Sequence, residues 1–391
     1  MVHLEANTTH CGESEEMMKI GWCSDSHLGN RQYGLERRRK DFEHSFESAV
    51  NDMMVRGIKV VVHTGDLLNS NRPGPDAIHC LVRIHQALIA HGAHMIVASG
   101  NHDYSIPSWP SVLPPNEFGI KCRDYEVVRF GDVSFYCLPT MPVETFLKQE
   151  FQPADVLLWH GMVKEFIQFD APNALDISQL PLDKYRLILL GDVHVCNIKA
   201  PLMGEVYTMQ GPGVGYIGST ELCSSSEPDV KYWGEVDIVA GRGINITRHV
   251  IDTRPVVRVS IDNELTDSNL ESIITMAKAS AARNNRTPIL FIEYDSSIPR
   301  VVERFRLLLN PDEYILQFRP IMKLGLPGAP MPPSENLSVE DILKNMIAAR
   351  PDLMQVGLGL VNQEMEPGAV IDEFIGERLR KAAVQPEPAN L

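Results

Sequence analysis

Five short segments carry side chains of the kinds that can hold metal ions, and each stands at the end of an apolar run. "CSDSH" supplies Asp25 and His27, "KVVVHTGD" supplies Asp66, and "SGNHD" supplies Asn101, His102 and Asp103. His160 follows the run at 155–159, and "LLGDVHVCN" supplies Asp192 and His194. Carboxylate oxygens, an amide oxygen and imidazole nitrogens together suit borderline divalent ions such as Mn2+, Fe2+ or Zn2+. Asp25, His27, Asp66, Asn101, His160, Asp192 and His194 are too many ligands for one ion that keeps a position open for substrate. They suit two ions sharing a carboxylate. Such a pair, roughly 3.5–4 Å apart, clamps the attacking and leaving oxygens of an in-line displacement at phosphorus. His102 is then a spare imidazole beside the ions, suited to stabilise the pentacovalent oxygens or to protonate the leaving oxygen. A single Gly-Asp or Asp-x-His is an ordinary turn signal. Five such segments in order are a much stronger one.

The elements that must position these residues read as alternating strands and helices. Residues 19–24 form a strand, and Leu35, Phe42, Phe46, Ala49, Val50, Met53 and Met54 repeat at helical spacing until Gly57. "KVVVHT" is the next strand, a helix carries Ile78, Leu81, Val82, Leu88 and Ile89, and "HMIVAS" is a third strand. Further strands are expected at 133–138, 155–159 and 186–190. This β-α-β-α-β start implies an α/β domain with buried strands. Each candidate lies just past a strand's C-terminal end, where open α/β sheets place their sites.

A second α/β unit starts near "DTRPVVRVSI", with strands at 256–261, 287–294 and 313–319 and helices at 268–283 and 299–309. The first of these helices opens on Ser268-Asn269-Leu270-Glu271, a capping-box pattern. The division expected is an extension at 1–18, a catalytic domain at 19–254, a smaller domain at 255–325, a Pro-rich linker at 326–335 and a helical tail at 336–391. The tail holds two short amphipathic helices, one near 338–349 and one carrying Ile371, Phe374, Ile375 and Leu379. Too little apolar surface exists there for a separate core, so these helices suit docking on a partner.

The formal charge of −15 excludes nucleic-acid binding through bulk charge, and two divalent ions would leave the balance negative. Attraction to a polyanion must be local. Arg31, Arg37 and Arg38 follow the first ligands and are candidate phosphate contacts, with a solvated helix face as the plainer alternative. Seven cysteines, an odd number without a CxxC pair, fit a reducing, intracellular compartment. No apolar run is long enough to cross a bilayer, and the N-terminus has no secretory h-region. His79, His85, His91 and His94 do not share a helix face and are not read as a metal run. His63 reads as a packed or hydrogen-bonded neighbour of the site.

In their order, D-x-H, G-D, G-N-H-D, an isolated His and a G-D-x-H resemble the motifs of the calcineurin-like metallophosphoesterases. Within that superfamily "DSHLGNRQYGLERRRKDF", "GDLLNSNRPGP", "YIGSTELCSSSE" and "TRPVV" are similar to the Mre-eleven/SbcD nucleases of DNA double-strand-break repair, over roughly residues 19–325. The resemblance implies a metallophosphoesterase β-sandwich flanked by helices, a smaller α/β capping domain that contacts DNA, and a helical tail. It implies two Mn2+ ions, with Mg2+ or Fe2+ as alternatives. Asp25, His27 and His194 would hold one ion, Asp66 would bridge, and Asn101, His160 and Asp192 would hold the other. His102 takes the catalytic role with Asp103 supporting it. The implied activities are single-strand endonuclease and 3′-to-5′ duplex exonuclease. The implied partners are DNA ends, a second copy in a homodimer, and a Rad-fifty/SbcC-type ABC ATPase bound through the C-terminal helices. The implied location is cytoplasmic or with the nucleoid or nuclear DNA. Many members have His where this chain has Asp192. The carboxylate tilts metal preference toward harder ions and puts nuclease strength in question. Three other functions remain open: a general metallophosphoesterase acting on small phosphodiesters or phosphoproteins, a DNA-end-tethering scaffold with weakened catalysis, and a metal-stabilised structural subunit of an ATPase complex.

Overall fold

The apolar runs ahead of the candidate ligands fold as parallel strands of two facing sheets. The structure is a computed structural model that describes residues 18–321, apart from 104, 106–108, 170, 239–242, 263 and 311–312. The extension up to residue 17, the Pro-rich linker and the tail with Ile371, Phe374, Ile375 and Leu379 lie outside the described residues.

The chain begins as β1 (Met18–Cys23), α1 (Glu36–Val55), β2 (Val60–His63), α2 (Pro75–Ala90), β3 (His94–Val97) and β4 (Gly119–Cys122). Gly57 ends α1 as expected: at φ +78° its amide bonds Met54 O while Ile58 N bonds Met53 O. β5 (Val127–Phe130) and β6 (Val133–Leu138) then form an antiparallel pair, followed by α3 (Val143–Phe146), β7 (Val156–His160) and β8 (Leu187–Gly191). The remaining strands of this part are β9 (Asn197–Ile198), β10 (Leu202–Met203), β11 (Val206–Met209), β12 (Gly213–Tyr216), β13 (Tyr232–Ile238) and β14 (Ile244–Val250).

Eight of these strands make one sheet in the order β10-β11-β14-β13-β1-β2-β3-β4, and six make the other in the order β5-β6-β7-β8-β12-β9. β1 to β4 run parallel, as do β6, β7, β8 and β12. The strand period of two decides the layers. Ile20, Trp22, Val60, Val62 and Ile96 of the first sheet meet Phe135, Leu158, Leu187 and Leu189 of the second in one core. Cys23, Val61, Met95 and Val97 point the other way, onto Phe46, Met53, Leu81 and Leu88 of α1 and α2. The far face of the second sheet packs Leu157, Trp159 and Leu190 against Phe146, Phe166 and Leu175. The fold is therefore the expected sandwich of two sheets with helices and turns outside.

The smaller unit is an all-parallel sheet, β15 (Val256–Ile261), β16 (Ile289–Asp295) and β17 (Ile315–Ile321), with α4 (Asp267–Asn284) and α5 (Val301–Leu308) on one face. The start of α4 corrects the expected cap. Thr266, not Ser268, is the N-cap, its hydroxyl accepting from Asn269 N at 3.2 Å. The strands between 197 and 250 were not foreseen. Two of them, β9 and β10, have only two residues each, and β14 alternates without a strong apolar signal.

Candidate metal centre

The C-terminal ends of β1, β2, β3, β7 and β8 converge, and all seven expected ligands converge with them. Asp66 is central: its Oδ2 lies 3.8 Å from His27 Nε2, 3.6 Å from His160 Nε2 and 3.9 Å from His102 Nε2. On one side His27 Nε2 is 3.3 Å from His194 Nε2, which is 3.7 Å from Asp25 Oδ1. On the other, His160 Nε2 is 2.9 Å from Asn101 Oδ1 and 3.9 Å from Asp192 Oδ1. Asp25, Asp66 and His160 have ligand atoms within 4.8 Å of one another, and so do His27, Asp66 and His102. Asp192 stands further out, yet its backbone N–H donates to Asp25 Oδ1 at 3.2 Å, so the two halves of the cluster are tied.

The Gly-Asp pairs of the sequence have a steric cause. Gly65 has φ +101°, and a Cβ there would overlap the His160 imidazole. A Cβ on Gly191 would overlap the Thr64 carbonyl and reach within 2.7 Å of His160 Nδ1. Only glycine lets the ends of β2 and β8 close on β7. The ligands themselves turn sharply: Asp25 (φ +50°), His27 (φ +45°), Asp66 (φ +53°) and Asp192 (φ +93°) have left-handed backbones, which Asp tolerates better than most residues.

Surrounding groups aim the imidazoles. His160 donates from Nδ1 to the Thr64 carbonyl at 2.8 Å, and His102 donates from Nδ1 to the Asn69 carbonyl at 3.1 Å. His194 donates from Nδ1 to Glu227 Oε1 at 3.0 Å. A carbonyl can only accept, so Nδ1 carries a proton and Nε2 is the nitrogen turned to the centre, the usual orientation of histidine ligands. Asp103 is close by but faces elsewhere. Its carboxylate accepts from Gly100 N at 2.7 Å, Leu67 N at 2.6 Å and Leu68 N at 3.2 Å. It pins the Asp66 loop to the Asn101 loop, and the backbone of Asn69, rather than Asp103, orients the His102 ring. His63 is likewise a neighbour, held by Ser26 Oγ at 2.7 Å.

Electrostatics favour cations here. Burial pushes Asp66 and Asp192 above the usual carboxylate range. Burial holds His27 well below the ordinary imidazole value, helped by His194, His102 and His160 beside it. Burial opposes protonation of His160, yet Asp66, Asp25 and Asp192 push it up to about 8. His194 is pushed up to about 12 against burial by Cys223 and Glu227. Three carboxylates gathered with little solvent require compensating charge, and two divalent ions supply it. Oxygen and imidazole donors aimed at one space fit such ions.

The basic residues fare differently. Arg31 is exposed, though paired with Glu36 at 3.3 Å and Asp76 at 3.5 Å. Arg37 is half-buried and donates to the Tyr314 carbonyl at 3.0 Å. Arg38 is wholly buried, on Asp41 at 2.7 Å and Glu221 at 3.2 Å, and cannot meet DNA; the expectation for it is corrected. A run of arginines in sequence does not reveal that one helix face turns inward. Glu227 and Cys223 were missed as site residues, although both lie in "YIGSTELCSSSE".

Residues 18–196 match the family of calcineurin-like phosphoesterases. The chain is 31% identical over 255 residues to a DNA double-strand break repair protein Mre11 of Haloferax volcanii, a match covering 63% of this chain and 55% of that protein. It is 26% identical over 302 residues to the Mre11 of Halobacterium salinarum, covering 74% of each. For the Mre11 of Sulfolobus acidocaldarius the identity is 23% over 301 residues, covering 72% of this chain and 76% of that one. The chain thus spans about half the length of the first of these relatives and three quarters of the others. Residues 18–196 thus match the calcineurin-like phosphoesterases, with a two-sheet fold, and over 255 to 302 residues the chain is similar to Mre11 proteins.

Proposed function

We propose that this chain is a two-metal phosphodiesterase that cuts DNA in double-strand-break repair, as the names of its relatives suggest. The observation that carries this reading is the placement of His102. Its ring is half-exposed at the rim of the cluster and its Nε2 stands 3.9 Å from the central Asp66, so it is the imidazole of the group most open to a substrate. Two divalent ions, when bound, supply Lewis acidity at the phosphorus and acidify a water. Asp25, His27 and His194 would hold one, Asn101, His160 and Asp192 would hold the other, and Asp66 stands between the two sets where it could serve both. His102, its Nδ1 fixed by the Asn69 carbonyl, presents Nε2 to the scissile phosphate and, as the imidazolium, hands its Nε2 proton to the leaving oxygen and ends as the neutral Nδ1–H ring. Asp103 acts at a distance, keeping the Asp66 and Asn101 loops in register. Arg31 is the arginine left at the surface to meet the backbone of a substrate strand. Mn2+ is the ion we assign to the position with Asn101, His160 and Asp192, because Asp192 adds a hard oxygen donor. Single-strand endonuclease and 3′-to-5′ exonuclease activity, a homodimer and an ABC ATPase of the Rad-fifty/SbcC type docked on the C-terminal helices complete the proposal, with work inside the cell on DNA ends.

The test is Mn2+-dependent cleavage of end-labelled linear duplex and of single-stranded circles, with a small chromogenic phosphodiester alongside. His102→Ala should lower DNA cleavage by about 10²–10⁴-fold with both ions still bound. Turnover of the small ester alone would instead indicate a general phosphoesterase.

A further inference from the structure

One thiol stands at the centre. The Cys223 sulfur and one ring nitrogen from each of His27 and His194 lie within 4.8 Å of one another, and among the described cysteines only this one joins such a group. Its placement is built in. The Cys223 N–H donates to Glu227 Oε2 at 3.0 Å, and the other oxygen of that carboxylate takes the His194 Nδ1 proton. Lys231 Nζ, 2.5 Å from Glu227 Oε2, anchors the carboxylate in turn. The imidazole and the thiol are therefore registered to one fixed group. Opposite them His27 is 4% exposed, its Nε2 faces His194 Nε2 at 3.3 Å and Asp66 Oδ2 at 3.8 Å, and its buried Nδ1 has no hydrogen-bond partner.

We propose that Cys223 is a thiolate ligand of the ion held by Asp25, His27 and His194. The inference rests on the two-metal reading above. It makes the two positions chemically unequal. The first combines imidazoles with a soft sulfur and favours Zn2+ or Fe2+, while Asp66, Asn101, His160 and Asp192 offer mostly oxygen and favour Mn2+. Ligation exchanges the S–H bond for a sulfur–metal bond, and the thiol proton leaves to solvent. The weak bond from the thiol to the Glu221 carbonyl, 3.4 Å long, is given up in the exchange.

Cobalt reports on this directly. The full-length protein loaded with Co2+ should show a thiolate-to-cobalt charge-transfer band in the near ultraviolet, absent from Cys223→Ser, with the same number of Co2+ ions bound by each. Cys223→Ser should weaken Zn2+ binding by about tenfold or more while moving Mn2+ binding much less. In the unaltered protein, alkylation of Cys223 by iodoacetamide, followed by peptide mass mapping, should slow by about tenfold on loading with Zn2+. Two bound Co2+ ions without the charge-transfer band would overturn Cys223 ligation and leave the two-metal reading standing. Failure to bind Co2+, Zn2+ and Mn2+ at all would overturn both.

Discussion

Glu227 shows how far a single side chain outside the ligand set governs the centre. It accepts from His194, from the Cys223 amide and from Lys231, and burial does not stop His194 and Lys231 from holding its carboxyl below the usual range. Glu227→Gln keeps the shape but weakens the acceptor for His194. Metal affinity should fall by about 10–100-fold, measured by competition with a chelating dye, with the folded state retained. Unchanged affinity would mean that His194 is held by packing alone. Asp192 belongs to the same scale. Asp192→His should move the preference among ions from Mn2+ toward Zn2+, a shift read from the metals retained after dialysis against an equimolar mixture. An unaltered ratio would show that residue 192 does not set the preference.

At the scale of elements, the strand ends do the positioning, and glycine at their tips is the weak point. Gly191→Ala would push a methyl group into the Thr64 carbonyl and toward His160. The expected result is loss of one bound ion per chain by elemental analysis, with a stability loss of about 1–3 kcal/mol in urea unfolding. Retention of both ions would show that β8 can shift to make room. The parallel strands β1, β2, β3, β6, β7 and β8 and the helices α1 and α2 were legible because apolar runs mark the strands and a 3.6-residue apolar period marks the helices. By contrast, β4 and β12 are short and carry no such run. The cluster of candidate ligands was legible too, because each follows the end of an apolar run. What lay beyond the pattern depends on contacts distant in sequence. Glu227 is 33 residues from His194, and its role needs the fold. The face of α1 that hides Arg38 is equally invisible, since a buried arginine and a solvated one read alike. Thr266 replaced Ser268 as a cap because both precede the same helix at workable spacing, and only backbone geometry chooses between them.

Across the whole molecule, one buried network joins the two-sheet domain to the small parallel sheet. Arg38 binds Asp41 and Glu221, and Arg254, just before β15, binds the same Asp41 at 2.6 and 2.8 Å. Arg37 and the Tyr314 carbonyl add a second tie. Arg38→Ala leaves Glu221 buried with its charge uncompensated and should cost about 3–5 kcal/mol of stability. Urea unfolding measures this, and a fully stable variant with weakened DNA binding would return Arg38 to the surface. Acid sensitivity is set in the interior too. Burial lowers the pKa of His63 from 6.5 to about 3, so the folded state keeps it neutral while the unfolded chain takes up a proton. Stability from this group is present above pH 6.5 and is lost as pH falls from 6.5 toward about 3. The slope amounts to about 1.4 kcal/mol per pH unit inside that window. His63→Gln should flatten the stability–pH curve there by one proton; a parallel curve would show that His63 does not titrate in this window.

The left-handed backbones at Asp25, His27, Asp66 and Asp192 have a consequence for how this centre can be dismantled. Asparagine accepts that conformation about as readily as aspartate, whereas alanine adds a penalty of about 1–2 kcal/mol at each position. Asp25→Asn or Asp66→Asn would therefore silence the chemistry and spare the scaffold, while alanine at the same places would damage both at once. A lineage that abandoned catalysis yet kept the protein for its shape would be expected to pass through asparagine.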